Sequence, residues 1–268
     1  MSALPRSAND VLVVARRNLI KIKRVPDLLV FTLLSPIMFV LLFAYVFGSA
    51  IPIEGINYRE FLMGGIFAQT VIFGATITGA GLAEDMQKGI IDRFRSLPMS
   101  RSAVLTGRTA SDVVNNVLVL IVMSVTGLII GWRINSGVLE ALGGFAVLLL
   151  FAYAVSWMMA FVGLLVPSPE VVNNASFIAI FPLTFIANTF VPTDNFPAAL
   201  RTFADWNPVS SVTLAARQGF GNVPEGFPIP DVWALQNPVL YTIIWVVIIL
   251  AVFIPLANMQ YQRAADRS

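Results

Sequence analysis

Cysteine and histidine are both absent from this chain of 268 residues. Without thiols or imidazoles, the chain cannot form a disulfide, a zinc site of the usual type or a catalytic centre that uses either group. Charged residues are also scarce, at 12% of the chain, whereas soluble domains carry about 25%. Because 57% of the residues are hydrophobic, a water-soluble globular domain is excluded.

The hydrophobic residues are gathered in six long stretches that contain no Asp, Glu, Lys or Arg. A transmembrane helix needs roughly 20 largely apolar residues, and each stretch is long enough to provide one. The sequence therefore predicts an all-α integral membrane protein with a single transmembrane domain over 1–268. We place a cytoplasmic amphipathic helix at 1–27 and a cytoplasmic tail at 259–268. The six transmembrane helices are expected at about 28–50, 60–82, 109–131, 140–166, 171–191 and 238–258.

Basic residues are unevenly distributed between the two sides of this predicted topology. The side that carries both termini holds thirteen of the 17 Lys and Arg residues, and the other side holds four. Cytoplasmic loops of membrane proteins carry an excess of Lys and Arg. The asymmetry therefore predicts cytoplasmic termini and places the segment between spans five and six on the outer side.

The residues before the first span form an amphipathic pattern. Ala8, Leu12, Ala15, Leu19 and Ile22 recur at spacings of three and four, which is typical of one face of a helix. Five basic residues fall mostly on the other faces, so we expect an interfacial helix with its basic side near anionic lipid headgroups. Its role stays open between anchoring the topology and docking a partner.

The loop after the second span, "AEDMQKGIIDRFRSLPMSRSAVLTGR" at 83–108, predicts a short charged helix over 84–97 that ends before Pro98. Its apolar face carries Met86, Ile90, Ile91, Phe94 and Leu97, and the two acids at its start suit the helix dipole. The remaining faces carry Glu84, Asp85, Lys88, Asp92, Arg93 and Arg95. One interpretation is a further interfacial helix, and the other is a rigid lever that a soluble partner can push.

The segment 188–220 is neither apolar enough to span a membrane nor polar enough to be an ordinary loop. Prolines divide it into two short predicted helices, at 196–206 and about 209–218, separated at Asn207 and Pro208. Each would be about 16 Å long, roughly half the hydrocarbon thickness, so neither can span. We expect a re-entrant pair that forms an outer lid, with Pro197, Leu200, Phe203, Asn207, Pro208 and Arg217 among its residues.

The sequence lacks the motifs of an ATPase, of a proton-coupled carrier and of an ion channel. It has no GxxxxGK[ST] phosphate-binding loop, no acid in the middle of a span to carry protons, and no pattern for a channel filter. "GAGLAE" at 79–84 and "GLIIG" at 127–131 are interpreted as sites of close helix packing, and Asn115, Asn116, Asn173, Asn174 and Asn188 as hydrogen-bonding links between helices. Transport driven by an outside motor fits best, and a membrane scaffold or assembly protein is the alternative.

Three stretches carry a resemblance to a known family. They are the loop at 83–108, "PSPEVVNNASF" before and in the fifth span, and "PLTFIANTFVPTDNFPAALRTFADWNPVSSVTLAARQ" before the sixth. The last is the most specific, with an Asn-Pro pair and an arginine nine residues after the proline, at Arg217. Over essentially its whole length the chain resembles the ABC-2 type transmembrane permeases, most closely the daunorubicin-resistance-type drug and lipid exporters.

The resemblance implies a dimer of six-helix subunits, either two copies or two related chains, worked by a separate ATPase that binds ATP and Mg. Residues 84–97 would be the coupling helix that contacts the ATPase, together with the N-terminal helix, and 196–218 would be the re-entrant pair. The expected cargo is an amphiphilic drug or lipid leaving a bacterial cell through the plasma membrane, and polyisoprenyl-linked glycans are the alternative. This chain itself would have no catalytic, metal or cofactor residue and no nucleic-acid partner.

Overall fold

The computed structural model describes residues 10–11, 13–18, 20, 26–48, 51, 53, 55–91, 103–166, 168–194, 196–224 and 226–263. In these residues all regular secondary structure is helical. A helical segment at 13–18 precedes the helices α1 (Pro26–Leu41, extended by a π-helical stretch, Leu42–Phe47), α2 (Tyr58–Gly74), α3 (Thr76–Gln87), α4 (Ala103–Ile130), α5 (Val138–Leu165), α6 (Pro169–Phe185), α7 (Ala198–Trp206), α8 (Pro208–Gly219), α9 (Trp233–Gln236) and α10 (Pro238–Arg263).

Four helices in the described part of the chain are long and apolar enough to cross a membrane. They are the nearly continuous unit α2–α3 (Tyr58–Gln87), α4, α5 and α10, and they coincide with predicted spans two, three, four and six. Predicted span one falls on α1 and its π-helical stretch, where Leu34–Phe47 is a shorter apolar helix. Predicted span five falls on α6. α6 has 17 residues, which gives about 25 Å at 1.5 Å per residue. It ends at Phe185, before the predicted limit at 191, and Pro182 lies in its last turn.

The bundle is organised around α5, which packs against α10, α3, α8 and α4. One close approach joins α5 to α3, where a Cβ on Gly163 would overlap the carbonyl oxygen of Gly79 and lie 2.7 Å from its Cα. Only glycine permits two helix backbones to meet in this way. The prediction that "GAGLAE" marks helix packing is therefore confirmed. In "GLIIG", Gly127 lies against Met63 and Trp132 within the same chain.

The helix predicted over 84–97 differs from the one in the structure. Glu84 and Asp85 lie in the last turn of α3, which continues the second span, and the chain turns at Lys88 and Gly89. Gly89 has φ +62, a conformation that residues with a Cβ rarely adopt. The prediction that the two acids open a new helix is wrong, because this glycine ends the helix after them. Residues 92–97 of the predicted helix lie outside the described residues.

The segment 188–220 contains two short helices as predicted, α7 and α8, and their break at Asn207 is confirmed. The Asn207 side chain caps α8 by accepting a hydrogen bond from Val209 N at 2.9 Å, while Pro208 occupies the first helical position, where no N–H is needed. Pro197 is the N-cap of α7. α8 packs against α5, α10 and α2, so it lies inside the bundle.

Candidate functional site

The end of the bundle at which α7 and α8 lie is organised around one buried arginine. Arg217 is 1% exposed, and its guanidinium donates hydrogen bonds from Nε to Phe61 O at 2.7 Å and from Nη2 to Asn188 O at 2.7 Å and Thr189 O at 3.1 Å. The guanidinium also lies 3.5 Å from the centre of the Phe61 ring, in cation–π contact. One side chain of α8 thereby holds both the start of α2 and the turn that follows α6.

Asn207 makes a second attachment, between α8 and the end of α6. Its Nδ2 donates to Leu183 O at 2.7 Å and to Ile186 O at 3.1 Å, which are carbonyls left without helical partners where α6 ends. Tyr241 of α10 donates a hydrogen bond to Trp206 O at 2.8 Å. The break between α7 and α8 is therefore fixed on both sides by side chains from the surrounding bundle.

α7 contrasts with α8, because one of its faces is uncovered. Leu200 and Phe203 are exposed, at 43% and 46%, whereas Asp205 is buried and accepts a hydrogen bond from Thr193 Oγ1 at 3.5 Å. Burial raises the pKa of the Asp205 carboxyl, against the opposing effect of Arg201. The predicted lid residues therefore belong to two groups. Asn207, Pro208 and Arg217 join α8 to the bundle, whereas Leu200 and Phe203 lie on the exposed face of α7 and Pro197 is its N-cap.

At the other end of the bundle, Asp85 forms a buried ionic cluster that we call the Asp85 clamp, with Arg17 and Arg108 as its other members. Arg17 Nη2 donates to both carboxylate oxygens of Asp85, each at 2.8 Å, and Arg108 Nη1 lies 3.7 Å from Oδ2. The side chain of Asp85 is 6% exposed. The sequence prediction grouped this residue with a solvent-facing charged surface, and in the structure it faces the N-terminal segment and α4.

The clamp fastens the N-terminal helical segment to the start of α4. Val14 is buried and contacts Gly107, where an added Cβ would lie 2.7 Å from the Val14 side chain and 2.8 Å from Val11 O. Asn18 Nδ2 donates to Ser111 Oγ at 3.3 Å. The predicted interfacial helix is therefore docked on its own chain through Val14, Asn18 and Arg17.

A second ion pair, between Glu84 and Lys88, lies next to the Asp85 clamp in sequence and is more exposed. Lys88 Nζ is 2.5 Å from Glu84 Oε1. The hydrogen bond and the charge of Glu84 raise the pKa of Lys88. Of the six residues predicted to form the coupling surface, the structure places these two on the surface and Asp85 inside. Asp92, Arg93 and Arg95 lie outside the described residues.

Between these two ends lies a cavity of about 430 Å³, lined by parts of α1, α2, α3, α4 and α6. Four phenylalanines contribute to its wall, namely Phe39, Phe73, Phe177 and Phe181. Phe177 lies 4.9 Å from Phe181 and 6.2 Å from Phe73 between ring centres, so these three rings form a continuous aromatic surface. None of these phenylalanines was predicted from the sequence to line a cavity.

Three amide side chains, those of Gln69, Asn115 and Asn116, interrupt the aromatic wall. All three are at least nine-tenths buried, yet none has a side-chain hydrogen bond to another described residue, and Asn116 Oδ1 is buried without a partner. The prediction that Asn115 and Asn116 link helices by hydrogen bonds is therefore wrong within the described residues. Asn173 and Asn174 are exposed on α6, and Asn188 links helices through its backbone carbonyl. The adjacent asparagines at 115 and 116, inside a long apolar run, were the available signal for a polar wall.

The fold and its two fastened ends define a class, that of multi-pass helical membrane proteins with an internal cavity. The family model described as "ABC-2 type transporter" matches residues 9–220, a range that includes the Asp85 clamp, the cavity and Arg217. The chain belongs to the ABC-2 type transporter family.

Three relatives extend this comparison. The chain is 35% identical over 202 residues to the daunorubicin resistance ABC transporter permease protein DrrB1 of Streptomyces coeruleorubidus. The aligned residues make up 75% of this chain and 71% of the relative. It is 26% identical over 195 residues to the probable doxorubicin resistance ABC transporter permease protein DrrC of Mycobacterium tuberculosis, covering 72% of this chain and 66% of the relative. The putative transport permease ycf38 of Cyanophora paradoxa is 23% identical over 205 residues, with 75% and 70% covered.

Proposed function

We propose that this chain is the membrane-spanning permease subunit of an ATP-driven exporter, and that it moves an amphiphilic drug or lipid-like molecule out of the cytoplasm or the inner leaflet. The observation that carries the proposal is the cavity of about 430 Å³ inside an apolar bundle, situated between an ionic clamp and a re-entrant pair. The outward direction and the drug-like cargo are supported by the resistance functions that the names of two relatives state.

Energy for transport comes, in this proposal, from a separate ABC ATPase that binds ATP and Mg. The contact would involve the surface around Glu84 and Lys88 together with Asp92, Arg93 and Arg95. Force applied there would reach α3 directly, because Glu84 and Asp85 belong to the last turn of that helix. It would reach α4 through the ion pair between Asp85 and Arg108.

At the outer end, the re-entrant pair serves as the lid of the pathway. In this proposal α8 stays in place, because Arg217 holds it to three carbonyl acceptors. The exposed helix α7 can move without separating Arg217 from these acceptors. The working unit would be a dimer in a bacterial plasma membrane, with six spans per subunit and cytoplasmic termini.

The orientation is tested with single cysteines, which is straightforward because the chain has no native cysteine. Gln236 and Lys88 are exposed at opposite ends of the bundle. In intact cells, Gln236→Cys should react with a maleimide that cannot cross the membrane, and Lys88→Cys should react only after the cells are opened. The reverse pattern would invert the proposed topology.

The function is tested by reconstituting the purified chain in vesicles with and without an ATPase encoded beside it. We expect no ATP hydrolysis by the chain alone, and ATP-dependent movement of a lipophilic dye across the membrane when both are present. ATP hydrolysis by the pure chain would contradict the separate-motor proposal. A stable complex that hydrolyses ATP but moves neither dyes nor lipids would favour a scaffold.

A further inference from the structure

Asp112 on α4 is a buried acid that belongs neither to the Asp85 clamp nor to the cavity wall. It is 7% exposed, and its Oδ2 has no hydrogen-bond partner among the described residues. Arg108, one helical turn earlier, directs its guanidinium elsewhere, since Nη2 donates to Ile77 O at 3.2 Å and Nη1 lies 3.7 Å from Asp85 Oδ2. A buried carboxylate without a partner is strongly destabilising. Asp112 therefore requires a ligand that its described neighbours do not supply.

Two more buried oxygen atoms without a partner lie close to Asp112. Asn116 is one helical turn further along α4, and its Oδ1 has no hydrogen bond. That oxygen lies against α2, because a Cβ added to Gly74 would be 2.6 Å from it. Thr78 of α3 is 0% exposed, and its Oγ1 also has no partner. Threonines inside helices usually bond to their own backbone, as Thr109 does with Leu105 O, so the hydroxyl of Thr78 is directed away from its own helix.

The antiparallel packing of α2 and α3 against α4 brings these three side chains together. At one end of the contact Asn116 meets the last residue of α2, and at the other a Cβ on Gly81 would overlap Nη2 of Arg108. On α4, Asp112 lies midway between Arg108 and Asn116, on the same face of the helix. On α3, Thr78 lies between the two ends and shares its face with Gly81. Asp112 therefore faces Thr78 across the contact.

The chemistry of the three oxygens restricts the kind of ligand. An ionised carboxylate and an amide oxygen can only accept hydrogen bonds, and a hydroxyl oxygen can accept as well as donate. Carboxylate, carbonyl and hydroxyl oxygens are the atoms that hard metal cations prefer. Only one of the three groups is charged, and the cation of Arg108 lies one turn away. The repulsion from Arg108 is twice as large for a divalent ion as for a monovalent one.

From this geometry we propose that Asp112, Asn116 and Thr78 form a binding site for a monovalent metal cation, Na⁺ or K⁺. The bound ion connects α3 to α4 and so stabilises the folded bundle. The site lies between the cavity, which Asn116 also lines, and the Asp85 clamp, to which Arg108 belongs. The family resemblance implied no metal-binding residue, so this site goes beyond the proposed export function and does not depend on it.

The test measures thermal unfolding of the full chain in nanodiscs of phosphatidylcholine, a lipid whose headgroup carries no net charge. NaCl, KCl and N-methyl-D-glucamine chloride are compared at equal ionic strength, because the organic cation is too large to enter the site. We expect a bound metal ion, at about thirty times its dissociation constant, to raise the unfolding temperature by roughly 4 °C over the organic cation. A response to one of the two metal ions alone identifies the ligand.

Isosteric variants assign the response to this site. Asp112→Asn removes the charge and should abolish the response, whereas Asp231→Asn changes an exposed acid in a loop and should retain it in full. Thr78→Val removes one oxygen ligand and should raise the half-saturating ion concentration roughly tenfold. In the organic-cation buffer, Asp112→Asn should unfold at the same temperature as the wild type or a higher one, because it removes an unpaired buried charge.

Four results would overturn the proposal. Equal unfolding temperatures of the wild type in all three buffers would show that the oxygens bind water instead of an ion. A full response in Asp112→Asn would place the ion elsewhere on the protein. A lowered unfolding temperature of this variant in the organic-cation buffer would show that the carboxylate already has a partner in the chain. An unchanged half-saturating concentration in Thr78→Val would contradict the ligand set. None of these measurements involves an ATPase or transport, so failure here leaves the proposed export function standing.

Discussion

Replacing Asp85 with alanine should release the N-terminal helical segment from the rest of the bundle while the transmembrane helices stay folded. The carboxylate of Asp85 is the shared acceptor of the clamp, with Arg17 Nη2 at 2.8 Å from both oxygens and Arg108 Nη1 at 3.7 Å from Oδ2. Its removal leaves Arg108, whose side chain is only 9% exposed, without its carboxylate partner.

The expected cost follows from the burial of the three partners. Removing one member of a buried ion pair typically costs about 3–5 kcal/mol, because the remaining charge stays desolvated. Arg17 is one-third exposed and can regain water, so we take the lower end, about 3 kcal/mol. The neighbouring pair of Glu84 and Lys88 is much more exposed. Glu84→Ala should therefore cost only about 0.5 kcal/mol.

The assay places a single thiol beneath the docked segment. Val14 is 2% exposed, so a Val14→Cys reporter reacts with a maleimide only when the segment opens. A loss of about 3 kcal/mol should accelerate labelling roughly 100-fold in the Asp85→Ala background, since each 1.4 kcal/mol corresponds to a factor of ten. The Glu84→Ala background should change the labelling rate about twofold. Size-exclusion profiles verify that all variants remain folded.

A labelling rate that responds equally to Asp85→Ala and Glu84→Ala would refute this reasoning. It would mean that the clamp contributes no more than an exposed ion pair. A rate unchanged in both backgrounds would show that Val14 and its neighbours dock the segment without help from the charges.

Two further predictions concern contacts inside the bundle. Arg217→Met keeps the bulk of the side chain but removes hydrogen bonds to three carbonyls, so it should lower stability by about 3 kcal/mol and Tm by roughly 10 °C; Arg201→Met, on exposed α7, should shift Tm by less than about 2 °C. Gly163→Ala places a methyl group against the backbone of Gly79 and should cost about 1–3 kcal/mol, whereas Gly143→Ala, with no atom within 4 Å of its added Cβ, should be neutral or stabilising. Thermal unfolding measured by tryptophan fluorescence tests both pairs, and equal shifts within either pair would contradict the corresponding contact.

The parts of the fold that follow from hydrophobicity or from local capping were predictable. Long runs without charge identified the four helices that can span, and Asn207 with Pro208 identified the break between α7 and α8, because a capping side chain and a missing N–H act locally. The helix boundary at Gly89 was missed, since a glycine followed by two isoleucines also fits the interior of a helix. Only the backbone conformation, φ +62, separates the two cases.

The details of the sites depend on contacts between distant residues, which a single sequence does not reveal. Asp85 and Glu84 are adjacent acids in one charged stretch, and nothing local indicates that Asp85 pairs with Arg17, 68 positions away. The cavity likewise brings Gln69 together with Asn115 and Phe177 from three helices. In contrast, Arg217 was recognised through its spacing from Pro208, although its acceptors at Phe61, Asn188 and Thr189 became visible only in the structure.

The position of Arg217 along the chain also determines when the end of the bundle around it can be assembled during synthesis. Phe61, its first acceptor, precedes it by 156 residues, an interval of about 8–30 s at ordinary rates of translation. The other two acceptors, Asn188 O and Thr189 O, precede the arginine by only 29 and 28 residues, so the start of α2 is the part that waits longest for this donor. In a nascent chain that stops before α8, the carbonyls of Asn188 and Thr189 lie in apolar surroundings without the hydrogen bonds that Arg217 would donate. Docking of α8 is consequently a late event in biogenesis, and truncated products should be marked for degradation by this incomplete end.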